Sequence, residues 1–337
     1  MALVFDRDFE PRHGEPVEIA PGVRRVTAPN IGPFTFQGTN AFLIGGAELT
    51  LLDPGPADDA HIEALLGAIG SARLTKILVS HSHRDHSAGA RLLQARTGAP
   101  ILAASSNRAG SPKTAAGIRL DAASDAHFAP DETLFDGTVL YAGGMRIEAV
   151  ATPGHAADHL VFALLGTDLL FSGDHVMGWA TTVVAPPDGC MAAYMTSLER
   201  LLARPERVYL PAHGGPIRDA HAYMRGLRGH RRMRERAILS RLAAGDRLIP
   251  DIVARVYRDI DPRLAAAAAH STFAHLEDLV AHGLVATDGV ATLGGRYWPT
   301  GAPDAGGSAT DAGAAATGFG SGGDGAGTAE PGAFGSG

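Results

Sequence analysis

The chain has very little cysteine: Cys190 is the single one among 337 residues. One cysteine excludes an internal disulfide framework and a cysteine-cluster zinc site. Long apolar runs are also missing, since no stretch approaches the roughly 20 residues that span a bilayer. At the N-terminus, Asp6 and Asp8 come too early for the apolar region of a signal peptide. These absences favour a cytoplasmic protein without a membrane partner.

The composition that remains is that of a folded protein with an appendage. Hydrophobic residues make up 45% of the chain, which is ordinary for a globular protein and enough for a sizeable core. The length suggests two domains, or one large domain with an addition. Past Thr300 the sequence is dominated by glycine, alanine, serine and threonine. We therefore predict a disordered Gly/Ala-rich tail over residues 301–337.

Strand-like and helix-like segments alternate through the first two thirds of the chain. Short apolar runs bounded by turn residues predict strands, and apolar residues at helical spacing predict helices. Such alternation favours an α/β (α+β) fold with mixed sheets covered by helices. The main predicted strands are 40–44, 49–52, 76–79, 100–104, 145–151, 159–165, 168–171 and 207–210, and the helices are 60–69, 88–97 and 191–203.

From Ala220 onward the pattern changes to long helices. Residues 218–300 contain 13 arginines against nine acidic residues, a weak indication of an anionic partner. We predict an amphipathic helix over 249–260 and a second helix from Ser271 to a stop at Gly283. Asp288-Gly289 then predicts a tight hairpin turn between Val285 and Val290. Helices followed by a small hairpin indicate a winged-helix-like domain over 219–300.

The most informative segment is Ser80-His81-Ser82-His83-Arg84-Asp85-His86, directly after a strand-like apolar run. If the chain stays extended through His83, alternation puts His81 and His83 on one side. A turn after that point would swing Asp85 and His86 to another side. One short loop could thus offer ligands to two neighbouring metal ions. Imidazole and carboxylate suit zinc, although iron and manganese accept similar sets.

Four further segments share one placement, because each follows a strand-like run and contains a Gly or Pro turn. Loops at strand ends are where ligands from distant parts of a chain can converge on a rigid scaffold. Alone, each is a weak signal, since a single histidine is more often a surface or core residue. The segments are Leu52-Asp53-Pro54-Gly55, Thr152-Pro153-Gly154-His155, Phe171-Ser172-Gly173-Asp174 and Leu210-Pro211-Ala212-His213.

The order and number of these motifs resemble the metallo-β-lactamase superfamily. The resemblance implies a four-layer αβ/βα sandwich, which we assign to a catalytic domain over 1–218. It also implies two zinc ions per chain, with iron or manganese possible. Asp53 would orient a ligand, and we predict catalytic roles for Asp85 and Asp53. The implied ligands are His81, His83 and His155 for the first ion and Asp85, His86 and His213 for the second, with Asp174 bridging both.

The implied chemistry is hydrolysis by a hydroxide that both ions share. Two zinc ions roughly 3.5–4 Å apart lower the pKa of a shared water and polarise a carbonyl or phosphoryl oxygen. No serine or cysteine nucleophile is then needed. The fold does not name the substrate, so an ester, a thioester and a phosphodiester all remain open.

Within the superfamily the motifs are most similar to lactamase-β-like proteins related to a mitochondrial endoribonuclease, which also carry a winged-helix-like C-terminal domain. The predicted partner is therefore a small-molecule acyl substrate or single-stranded RNA, which the arginines could bind electrostatically. An alternative is a glyoxalase II-like hydroxyacylglutathione thioesterase, although Pro211-Ala212-His213-Gly214-Gly215 departs from that pattern. A less favoured alternative is a metal-sensing nucleic-acid-binding regulator. Trp179 and Tyr194 could line a substrate cleft, but we expect both to pack in the core.

Overall fold

Two mixed β-sheets lie at the centre of the larger domain-like part of the protein. The computed structural model describes residues 3–105, 124–125 and 127–301. In the first sheet, β1 to β4 are antiparallel neighbours and β4 to β7 are parallel. Its strands, in spatial order, are β1 (Val17–Ala20), β2 (Val23–Thr27), β3 (Asn40–Gly45), β4 (Glu48–Leu52), β5 (Arg73–Leu78), β6 (Ile101–Ala103) and β7 (Glu132–Thr133).

The second sheet has five strands in the order β12-β11-β10-β9-β8. Its pairs are antiparallel except β11 with β12, which run parallel. The strands are β8 (Val139–Ala142), β9 (Met145–Ala151), β10 (Leu160–Leu164), β11 (Leu169–Gly173) and β12 (Val208–Pro211). The helices are α1 (Asp59–Ile69), α2 (Arg84–Ser87), α3 (Ala90–Thr97), α4 (Met191–Leu202), α5 (Ala220–Ala243), α6 (Ile249–Val256) and α7 (Ala265–Ala281).

Alternating side chains divide the sandwich into layers. On β3, Leu43 packs with the core that includes α1 and α3, whereas its neighbour Phe42 packs into a core between the two sheets. On β10, Phe162 joins the same intersheet core, whereas Val161 packs toward α4 and α5. Successive side chains of a strand point to opposite faces, so each sheet buries both faces. The layers are helix, sheet, sheet and helix, which confirms the predicted αβ/βα fold class.

Helix α5 connects this sandwich to a separate apolar core. Its first half contributes Met224 and Leu227 to the core under α4, and its second half contributes Ile238 and Leu242 to a core with α6 and α7. Two short strands, β13 (Val285–Thr287) and β14 (Tyr297–Pro299), complete that region as an antiparallel pair. The predicted division at 218/219 thus falls just before a helix whose halves belong to different cores.

Two local predictions for the C-terminal region were wrong. Ser271 does not cap a helix, because α7 already begins at Ala265 and leaves Ser271 buried within it; the alanine run at its start favours helix strongly. Val290 is exposed rather than paired, since β13 pairs with β14, where Tyr297 is fully buried. The predicted tail lies outside the described residues apart from Gly301. In the described part of the chain, no helix has the length and hydrophobicity needed to cross a membrane.

The intersheet core should dominate stability. We expect Phe162→Ala to lower the free energy of unfolding by about 3–5 kcal/mol, because the removed ring leaves a cavity between two sheets. The matched control is Phe135→Ala, since that side chain is 71% exposed and should change stability little. Chemical denaturation measures both, and equal losses for the two variants would contradict the layer assignment.

Candidate metal centre

The histidine-rich segment described above, which we call the histidine loop, lies between the end of β5 and the short helix α2 and continues into that helix. His83 keeps an extended backbone, with φ −68° and ψ 142°, and the helix begins at the next residue. The chain bends at residues 80–82, is extended at His83 and then turns into the helix, so only the turn follows the prediction from the spacing. The ring centroids of His81 and His83 lie 4.4 Å apart, and those of His81 and His86 lie 4.2 Å apart. One segment of six residues thus brings three imidazoles together.

The remaining candidates come from the ends of three strands of the second sheet: His155 follows β9, Asp174 follows β11 and His213 follows β12. A backbone hydrogen bond ties the end of β12 to the first sheet, from Asn40 N of β3 to Ala212 O at 2.7 Å. The loop before His155 also needs a glycine. A Cβ on Gly154 would lie 2.3 Å from Tyr194 Cα, and its φ of +144° disfavours any other residue.

These strand ends bring all seven predicted ligands together. Asp174 lies between the two predicted sets, because its Oδ1 is 3.3 Å from His213 Nε2 and its Oδ2 is 3.6 Å from His155 Nε2. Three overlapping groups each place their ligand atoms within 4.8 Å of one another and could hold a metal ion. The groups are His81, His83 and His155; His81, His86 and Asp174; and Asp85, His86 and His213.

Hydrogen bonds at the outer ring nitrogens determine which nitrogen faces the centre. His155 Nδ1 lies 2.7 Å from Val183 O, and His213 Nδ1 lies 3.2 Å from Gly38 O. A carbonyl oxygen only accepts, so Nδ1 carries the hydrogen and Nε2 presents its lone pair inward. His81 Nε2 is buried and has no hydrogen-bond partner among the described residues. Bare ring nitrogens directed at carboxylates fit a metal cation.

The charges of the centre are strongly coupled. Burial alone would raise the pKa of Asp174, but His213 and His86 hold it well below its usual value. Burial disfavours the charged form of His213 as well, yet Asp174 and Asp85 outweigh it and raise the His213 pKa to about 10. His155 differs, because burial and then His83 lower its pKa to about 4. Carboxylates that stabilise a charged imidazole this strongly would also stabilise a metal cation, so protons compete with the metal for the site.

A cavity of about 640 Å³ opens onto this centre. His83, Asp85, His155 and Asp174 are among the residues that line it. Trp179 also lines it, so the prediction that this side chain packs in the core was wrong; Phe36 stacks on its ring at 4.8 Å and holds it there. Tyr194 is fully buried, as expected.

Comparison with known proteins decides the family. A sequence model of the metallo-beta-lactamase superfamily matches residues 34–213, more than half of the chain. The chain belongs to the metallo-beta-lactamase superfamily. A second model, of a beta-lactamase associated winged helix domain, matches residues 249–294. The resemblance inferred from the motifs is confirmed, as is the winged-helix character of the C-terminal region.

Relatives and solved structures agree with that assignment. An atrochrysone carboxyl ACP thioesterase of Aspergillus chevalieri is 33% identical over 66% of this chain and 67% of its own. A beta-lactamase-like protein 2 homolog of Caenorhabditis elegans is 31% identical over 81% of this chain and 89% of its own. The crystal structure of a beta-lactamase domain protein of Burkholderia ambifaria superposes on this chain with a TM-score of 0.71 at 23% sequence identity. The superposition covers 88% of this chain and 97% of the Burkholderia chain. That structural likeness supports the fold alone.

In this metallo-beta-lactamase centre, Asp53 lies behind the ligands. Its Oδ1 accepts a hydrogen bond from Ser80 N at 2.7 Å, and its Oδ2 accepts from Ser80 Oγ at 2.9 Å. His86 Nδ1 lies 3.1 Å from the same Oδ2. Asp53 also adopts a positive φ of 52°, unusual for a residue with a side chain. The carboxylate thus fixes both the loop backbone and the ring of His86.

Two further residues position the ligands: Asp188, which sequence reasoning missed, and His159, whose place near His155 in the sequence made a supporting role or simple surface placement equally open. Asp188 Oδ2 lies 3.3 Å from His83 Nε2, so His83 presents Nδ1, which is 3.1 Å from His155 Nε2. Nothing in the sequence near Asp188 pointed to the site. His159 accepts a hydrogen bond from Asp174 N through Nε2 at 3.1 Å, and its closeness to His155 in sequence was the one available signal.

We expect Asp53→Asn to weaken metal binding about 10- to 100-fold, the usual effect of losing a partner that orients a ligand. An amide nitrogen in place of Oδ2 would face the Nδ1–H of His86 donor to donor, and the ring would have to turn or change tautomer. Competition with a chromophoric chelator measures the affinity. Asp59→Asn, an exposed change on α1, is the control, and unchanged affinity in Asp53→Asn would refute the role.

Proposed function

We propose that the protein is a zinc-dependent hydrolase that cleaves a small acyl thioester at a two-metal centre. The observation that carries the proposal is the position of Asp174, whose carboxylate oxygens lie 3.3 Å from His213 Nε2 and 3.6 Å from His155 Nε2 among three ligand groups beside a cavity. Nitrogen and oxygen donors without cysteine suit zinc in a catalytic site. A cavity of this size is typical of a small-molecule site.

The side chains divide into those that would hold the ions and those that would hold the ligands. His81, His83 and His155 would bind one zinc ion, and Asp85, His86 and His213 the other, with Asp174 shared between them. When bound, the ions supply a nucleophilic hydroxide from water near neutral pH and Lewis acidity at a carbonyl oxygen. Asp53, Asp188 and His159 keep the ligands in place through the hydrogen bonds described above.

Asp85 is the acidic ligand best placed to handle a proton. Its side chain is 25% exposed and lines the cavity, whereas Asp53 is 1% exposed and reaches the reaction through His86. Burial opposes ionisation of Asp85, but His86 and His213 hold its pKa well below the usual value. Asp85 is therefore a carboxylate at neutral pH, able to accept the proton of an attacking water and pass it to the leaving thiolate.

The cavity and the relatives both favour a thioester among the open substrates. Apolar side chains, including Phe34, Met177 and Ile260, also line the cavity, which suits an acyl group. The A. chevalieri relative is named a thioesterase. RNA is less favoured, because two half-buried basic groups of α5 are paired with carboxylates: Arg228 lies 2.9 Å from Glu199, and Arg241 lies 2.6 Å from Asp246.

The zinc-loaded protein should hydrolyse acyl thioesters of N-acetylcysteamine faster than a lactam, a lactone or single-stranded RNA. His83→Ala should lower kcat/KM at least about 100-fold, because it removes both a ligand and the contact to Asp188. The control His282→Ala changes an exposed ring at the end of α7 and should keep activity. A chelator should abolish turnover and added zinc should restore it. Full turnover by the metal-free protein, or none with any thioester, would refute the proposal.

A further inference from the structure

Part of the cavity wall is built by the C-terminal helices. His230, Arg231 and Arg234 of α5 line it, together with Ala268 and Ser271 of α7. The C-terminal region therefore forms part of the wall that a substrate would contact. This part of the wall is cationic, whereas Asp85 and Asp174 line the same cavity with carboxylates.

Arg231 is a buried cation whose described partners are neutral. The residue is 3% exposed. Its Nη2 donates to Thr182 O, its Nη1 lies 3.4 Å from Ser271 Oγ, and its guanidinium lies 5.0 Å from the Tyr194 ring centroid. Among the described residues no carboxylate oxygen comes within 4.0 Å of it. A buried charge without a counter-charge is unfavourable unless a ligand supplies one.

Arg234, one helical turn further along α5, is held in a similar way. Its Nη1 donates to Val256 O at 2.8 Å, and its guanidinium lies 4.0 Å over the Tyr257 ring. Its Nε is buried and has no partner among the described residues. The guanidinium is thus held rigidly while part of its donor capacity stays unused.

The positive potential of the two arginines lowers the pKa values of neighbouring histidines. Burial, with the charges of Arg231 and Arg234, lowers the pKa of His275 to about 3 and that of His230 to about 4. Both rings are therefore neutral at physiological pH, because the positive potential of the arginines disfavours a further cation beside them. The same potential would favour an anion.

We propose that Arg231 and Arg234 bind an anionic group on the acyl substrate while its scissile carbonyl lies beside Asp85 and Asp174. This inference rests on the proposed hydrolase function and specifies its substrate class. The shared chemistry is a carboxylate or phosphate that accepts charge-assisted hydrogen bonds from guanidinium. The anion could belong to the acyl part or to the leaving group, and the substrates below separate these sources.

An enclosed anion site favours a small molecule over a nucleic acid. Arg231 is nearly inaccessible from outside, so a polymer on the surface would not reach it. The groups that a polymer would meet first include Arg232 and Arg236, which are exposed on the same helix. A ligand in the cavity should therefore depend on Arg234, which lines the cavity, whereas a ligand on the surface should depend on the exposed Arg236.

Three thioesters test the proposal with zinc-loaded full-length protein. Pentanoyl-N-acetylcysteamine is neutral, glutaryl-N-acetylcysteamine carries a carboxylate on the acyl part, and pentanoyl-coenzyme A carries phosphates on the leaving group. We expect kcat/KM for one anionic substrate to exceed that for the neutral one about tenfold or more. Arg234→Gln should reduce that preference about tenfold, mainly through KM, whereas the matched control Arg236→Gln should preserve it.

Calorimetry with glutarate and inorganic phosphate keeps the test independent of turnover. If no thioester is cleaved but one anion binds the wild type and binds Arg234→Gln about tenfold more weakly, the hydrolase proposal fails and the anion site stands. Equal turnover of all three thioesters, with anion binding absent or the same in both variants, would overturn the anion site. Binding of a single-stranded oligoribonucleotide that Arg236→Gln weakens as much as Arg234→Gln would also overturn it, in favour of a surface site.

Discussion

The structure depends on concentrating seven polar side chains of opposite charge at one seam between two apolar sheets. All seven have most of their surface buried, and His86 and His213 are completely inaccessible. Burial of polar and charged groups is unfavourable unless hydrogen bonds or a counter-charge compensate. Here the outer ring nitrogens bond to Asp53, Asp188 and backbone carbonyls, while the inner nitrogens and carboxylate oxygens face one another across gaps of 3.3–3.6 Å. A cation at those gaps would satisfy both kinds of group.

The sandwich makes this concentration possible. Each sheet buries both faces in apolar cores, so its strands are rigid and their ends can carry polar loops without loss of the core. The parallel pairs β4–β5 and β11–β12 bring successive strand ends to a common edge. Residues as distant as His81 and His213 meet there because strand order, rather than sequence distance, sets their position.

What the sequence predicted well was either local or repeated in a known order. The spacing of His81, His83 and His86 fixes their mutual placement within one turn, and Asp53, Asp174 and His213 followed strand-like runs in the order typical of the superfamily. Asp188 and the cavity role of Trp179 were missed, because both depend on how a loop folds back over the sheet. The Ser271 and Val290 predictions failed because local cap and turn signals were overridden by helix propensity and by burial of Tyr297.

The contacts of the C-terminal region change the role that the sequence suggested for it. In the sequence its arginines indicate a basic surface. In the structure, however, Arg231 is buried and Arg228 forms an ion pair with Glu199. Helices α5 and α7 then complete the cavity begun by the metallo-beta-lactamase fold. Substrate selection and metal chemistry would accordingly use different parts of the wall of one cavity.

The most direct test of the account is anomalous diffraction at the zinc absorption edge from crystals of the zinc-loaded protein. The account predicts two peaks per chain roughly 3.5–4 Å apart, with Asp174 between them and His83 ligating through Nδ1. A single peak, or two peaks with Asp174 outside the coordination of both, would contradict the two-metal centre.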